Sequence, residues 1–126
     1  MAWSGNTMKC VLIFVLVFFF VFTVPHTSFA NAPKNVALEY DAASQTLSVA
    51  ITHPSSFPGW HYIETVVIKK NGVEISTNKY DKQPDADTFT YQYKVAASAG
   101  ETIEVTAKCS LFGSKTAALT VGGGAK

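Results

Sequence analysis

The stretch Tyr62-Ile-Glu-Thr-Val-Val-Ile-Lys-Lys-Asn-Gly-Val-Glu-Ile75 decides the fold class. A run rich in β-branched residues, Tyr62 to Ile68, passes through Lys69-Lys70-Asn71-Gly72 and resumes as Val73 to Ile75. Asn and Gly both tolerate the positive φ needed at the centre of a two-residue turn, so this pattern predicts a β-hairpin. Upstream, Val36 to Tyr40 and Thr46 to Ile51 flank the turn-rich Asp41 to Gln45. Downstream of a polar loop around Pro84-Asp85, Thr88 to Val95 alternates with period two, as a half-buried strand does. Ala99-Gly100 turns the chain into Thr102 to Lys108, and a last run, Thr116 to Val121, precedes a glycine-rich segment, 122–126, expected as a flexible tail. No stretch holds apolar residues at i, i+3, i+4 and i+7 over ten positions. Seven or so short strands in roughly 95 residues predict an all-β domain, an immunoglobulin-like antiparallel β-sandwich.

The N-terminus is set apart from this domain. Lys9 precedes an apolar run from Val11 to Val24, Pro25 breaks it, and Ser28-Phe29-Ala30 places small residues where a signal peptidase reads. The apolar run, about 14 residues, is shorter than the ~20 a spanning helix needs. Residues 1–30 are therefore expected to be a cleavable signal peptide, cut after Ala30 or alternatively Ala32. The protein is expected to be exported, periplasmic or extracellular, and to touch the membrane only through that segment before cleavage. The remainder, 96 residues from Asn31, is enough for one small domain, expected over 31–121. It has nine lysines, nine acidic residues and no arginine, so its formal charge is zero. No cationic cluster exceeds Lys69-Lys70, which argues against nucleic acid as a partner.

Cys10 leaves with the signal, and the mature domain keeps Cys109 alone. It cannot form an internal disulfide. A lone thiol outside the cytosol is buried, paired between molecules, or bound to a metal. Two histidines, His53 and His61, flank a loop containing Pro54, Pro58 and Gly59, and Cys109 stands just before a glycine-containing turn. All three lie at strand–loop boundaries, where a sandwich can gather distant segments at one end. Imidazole and thiolate suit iron, copper or zinc rather than calcium or magnesium. One ion with bonds of ~2.0–2.3 Å requires their donor atoms within ~4 Å of one another.

Lys34-Asn35-Val36, His53-Pro54, His61-Tyr62-Ile63-Glu64 and Cys109-Ser-Leu-Phe112-Gly113, in that order, resemble the iron-binding domain of the desulfoferrodoxin and superoxide reductase family. The resemblance covers nearly all of the mature domain and implies an immunoglobulin-like sandwich. It implies a mononuclear iron site in which four histidines ring the metal and a cysteine binds axially, leaving one position for superoxide. His53, His61 and Cys109 match ligand positions, and Lys34 matches the lysine that draws the anion in, the implied catalytic residue. Asn35 and Phe112 replace the other two histidines, Pro33 stands where a glutamate is common, and the loop between His53 and His61 looks two residues longer. His26 belongs to the signal, so no further imidazole remains.

Three readings of this reduced site stay open. One is an iron protein completed by water or the Asn35 amide, acting on superoxide or a small redox partner. Another is a copper or zinc site, which a His2Cys set also suits. The third is a metal-free module that binds a partner through Phe57 and Trp60.

Overall fold

The computed structural model describes residues 31–122. The signal peptide expected over 1–30 lies outside the described residues, as does the expected tail apart from Gly122. Seven strands follow in chain order: β1 (Asn35–Asp41), β2 (Thr46–Thr52), β3 (Ile63–Lys70), β4 (Val73–Lys79), β5 (Thr88–Lys94), β6 (Thr102–Cys109) and β7 (Ser114–Thr120). They form two antiparallel sheets, β1-β2-β5 and β4-β3-β6-β7, packed as an immunoglobulin-like sandwich.

Period-two burial builds the core. Leu47, Val49 and Ile51 of β2 face Ile103, Val105 and Ala107 of β6, all fully buried, with Val66 and Ile68 of β3 beside them. The predicted hairpin forms with Asn71 and Gly72 alone in the turn, at φ 51° and 80°. β4 runs further than the sequence pattern suggests, through Ser76 to Lys79. It is an edge strand with one solvated face, so polar residues there cost no burial.

Three features bring functional residues to one end. Asn35 pairs with Thr52, Thr52 with Thr88, Ile63 with Cys109, Thr65 with Lys79 and Lys108 with Ser114. The β2–β3, β4–β5 and β6–β7 connections and the segment before β1 therefore share that end. The burial rows of β2 and β6 also run on past their apolar members. His53 follows Leu47, Val49 and Ile51 in parity, and Cys109 follows Ile103, Val105 and Ala107, so each is directed inward from an opposing sheet, 1% and 2% exposed. The third feature is a bulge. Strict alternation from Ile68 and Val66 would turn Glu64 and Tyr62 inward, but the register with β6 shifts between Ile63 and Thr65. The extra residue turns Ile63 into the core, and His61, two positions earlier, meets the inward-facing His53 and Cys109.

Candidate metal centre

His53, His61 and Cys109 meet at this end, with one ligand atom from each lying within 4.8 Å of the other two. The spread exceeds the ~4 Å expected for donors on one ion. A contraction of about 1 Å would bring them into that range. His53 Nε2 also lies 3.0 Å from the carbonyl oxygen of Asn31.

Gln83 determines which His53 nitrogen is available. This buried side chain donates from Nε2 to the carbonyls of His53 and Asp85, at 2.9 and 2.8 Å. Its Oε1 accepts from Ile63 N at 3.2 Å and lies 2.8 Å from His53 Nδ1. The amide is thereby oriented with oxygen toward the ring, so Nδ1 carries the hydrogen. In the neutral imidazole the lone pair is then on Nε2, and an acceptor on the other ring nitrogen is how a metal-binding tautomer is fixed. The main chain of His53 is held as well, its N–H donating to Asp87 O at 2.8 Å.

His61 Nε2 is buried without a hydrogen-bond partner; among the described residues only the Tyr91 hydroxyl shares that condition. An orphaned buried nitrogen costs roughly 1–3 kcal/mol unless something binds it. Burial, and secondarily the neighbouring His53, push the His61 imidazole below its ordinary pKa, toward the neutral form that a metal takes. The two rings meet edge to face with centroids 4.6 Å apart. The His61 backbone is anchored by its N–H to Phe57 O at 2.8 Å and by the Ser55 hydroxyl donating to its carbonyl.

Cys109 is free and buried. Its Sγ accepts from Leu111 N at 3.4 Å, a contact that tempers charge on a thiolate. The turn around it closes through Cys109 N to Gly113 O at 2.9 Å. Ser110 joins this turn to the histidine loop, donating from its hydroxyl to Trp60 O at 3.1 Å and accepting from Tyr62 N at 3.2 Å. Two imidazoles and one sulfur are a donor set that fits a mononuclear transition-metal ion, with Gln83 holding the His53 ring and the Leu111 N–H already on the sulfur.

The other sequence candidates sit at the edge. Lys34 is exposed, and its N–H donates to Thr52 O at 2.8 Å, next to His53. Asn35 alternates with buried Val36 and lies on the outer side of β1, so it is not placed to complete the shell as the sequence reading allowed. Phe112 is 74% exposed in the Cys109 turn; Phe57 and Trp60, 68% and 67% exposed, stand in solvent on the histidine loop. Sequence reasoning missed Gln83, Ser110 and Asn31. Each acts through a hydrogen bond to a residue far away in the chain, and no local pattern marks such a role.

No protein-family model matches the sequence, nor does any curated protein. Among solved structures, the chain is similar to superoxide reductase (1Fe-SOR) from Giardia intestinalis. The TM-score is 0.52 and the identity 14%, over 72% of this chain and 97% of that one. A chain of the archaeal flagellum of Methanospirillum hungatei strain JF1 aligns over 97% of this chain and 96% of its own, at 15% identity and a TM-score of 0.44. The first likeness establishes a superoxide reductase-like fold, and the second is too loose to carry an argument.

Proposed function

We propose that this chain is an exported mononuclear metal-binding protein, with iron as its metal and superoxide or a small redox partner as its oxidant. The observation that carries the metal reading is the convergence of His53, His61 and Cys109, with His61 Nε2 buried and unpartnered and the His53 ring oriented by Gln83. The choice of iron is supported by the likeness to a superoxide reductase and by the order of the matching residues. Copper or zinc suits the same His2Cys set, and metal analysis separates them.

Iron held by His53, His61 and Cys109 would supply one-electron chemistry there: superoxide would take one electron and two protons to become hydrogen peroxide, and an external one-electron carrier would return the electron. The residues do the rest. His53 and His61 present neutral nitrogens, while Cys109 contributes electron density that the Leu111 N–H moderates. Gln83 keeps the His53 ring from turning, and Lys34, exposed beside Thr52, adds positive charge at the rim to attract an anion.

The test is elemental analysis of protein secreted from an exporting host and purified without chelator. One iron per chain is expected, with a thiolate-to-iron charge-transfer band after oxidation that Cys109→Ser abolishes. Absence of any stoichiometric metal sinks the reading. Copper or zinc in place of iron sinks the choice of metal and leaves the centre.

A further inference from the structure

Asn31 is the first described residue, and it is held in place from two sides. Its carbonyl lies 3.0 Å from His53 Nε2. Behind it, Ala32 is packed so closely on the Cys109 turn that a Cβ on Gly113 would come within 2.9 Å of Ala32 N. Pro33 is buried, and Lys34 N bonds to Thr52 O at 2.8 Å. The start of the domain is thus wedged between the histidine end of β2 and the turn that carries Cys109.

The contact can accommodate a cation. With Nδ1 of His53 donating to Gln83, the pair of Nε2 and the Asn31 carbonyl is a hydrogen bond when Nε2 carries a second ring proton; with that proton absent the two are facing acceptors that a metal ion can bridge. The separation allows it: two donors each about 2.1 Å from one ion, at right angles, lie about 3.0 Å apart, close to the length of the hydrogen bond itself.

We infer that Asn31 becomes a metal ligand once the leader is removed, its new α-amino nitrogen and its carbonyl oxygen closing a five-membered chelate on the ion held by His53, His61 and Cys109. This deepens the metal-centre reading above and depends on it. In the uncut chain the nitrogen of Asn31 belongs to an amide, whose lone pair is delocalised and binds metals poorly. Cleavage after Ala30 turns it into an amine. Five donors then surround the ion, two of them standing in for the imidazoles missing at Asn35 and Phe112, and one octahedral position stays open. Loading is tied to export: the precursor presents three side-chain donors, and the processed protein presents the full set.

The experiment exports the full chain behind its own leader and reads the N-terminus by mass spectrometry. A second form carries one glycine inserted between Ala30 and Asn31, so that its processed chain begins one residue earlier. Both keep the whole core and both sheets, which lie within 31–122. Each is stripped of metal and titrated with Co2+ without oxygen. A chain beginning at Asn31, binding one Co2+ at least about ten-fold more tightly than the extended form, is expected. On the Cu2+ form, labelling with 15N-asparagine should alter the nitrogen hyperfine pattern of the native-start protein, a readout independent of how the extended form folds. A start at Pro33, an uncut chain, equal affinities, or an unchanged hyperfine pattern overturns the inference. If a thiolate-to-cobalt band persists in those cases, the His2Cys centre survives; if the band never appears, or Cys109→Ser leaves it intact, the centre falls too.

Discussion

Gly113→Ala tests the close seating of the N-terminal segment on the Cys109 turn. Gly113 has φ +94°, and a Cβ there would lie 2.9 Å from Ala32 N and 3.0 Å from its Cα and Cβ. Two costs add. A side chain at positive φ costs about 1–2 kcal/mol. Forcing a methyl against backbone costs about 1–3 kcal/mol more. Neither partner can withdraw freely: Cys109 N bonds to Gly113 O, and Pro33 and Lys34 tether the other side. Gly100 is the matched control, because its φ of +89° is nearly the same and a Cβ there meets nothing within 4 Å. Gly100→Ala should therefore show the conformational cost alone. Urea unfolding of the metal-free proteins should place Gly113→Ala below Gly100→Ala by about 1–3 kcal/mol at unchanged slope. Equal midpoints for the two variants would refute the claim that Ala32 is packed immovably on this turn. They would also remove the mechanical support for Asn31 beside His53.

Gln83→Met keeps most of the side-chain volume but deletes four hydrogen bonds, stranding Ile63 N and His53 Nδ1 in the interior. A loss of about 2–5 kcal/mol in urea unfolding is expected, with metal affinity falling about 10–100-fold; unchanged affinity would show that Gln83 does not orient the ligand ring. A different region governs behaviour in alkali. Burial, then Tyr80, raises the Tyr91 phenol from 10.0 to about 12, and burial together with the Tyr80 hydrogen bond raises Tyr93 further. Unfolded tyrosines ionise near 10, so above that pH the unfolded chain holds fewer protons than the folded one. Stability is then full below pH 10 and declines as pH rises toward 12. Urea midpoints at pH 9 and 11 check this: a flat profile contradicts it, as does phenolate absorbance showing every tyrosine ionising near 10.

Much of the fold was legible because its signals are local. The Asn71-Gly72 turn depends on the φ preferences of two residues, and each strand announces itself by alternation over a few positions. The extent of β4 was not legible, since an edge strand can be polar on one side without penalty. His53 and Cys109 were half readable. Their parity continues the apolar rows Leu47-Val49-Ile51 and Ile103-Val105-Ala107, which suffices to direct both inward. Parity says nothing of whether the two rows end face to face.

The sequence by itself determined an all-β sandwich and the three side chains able to hold a metal, His53, His61 and Cys109. Those follow from residue chemistry and period-two alternation, properties carried by neighbours in the chain. Only the tertiary structure decided that His61 meets His53 and Cys109, because that depends on a bulge defined by the register of β3 against β6. Only it decided that Gln83 orients the His53 ring across 30 residues, and that Asn31, packed against Gly113, reaches His53 Nε2. Side-chain identity is written locally, whereas the closing of a coordination shell depends on which distant backbones the packing brings together.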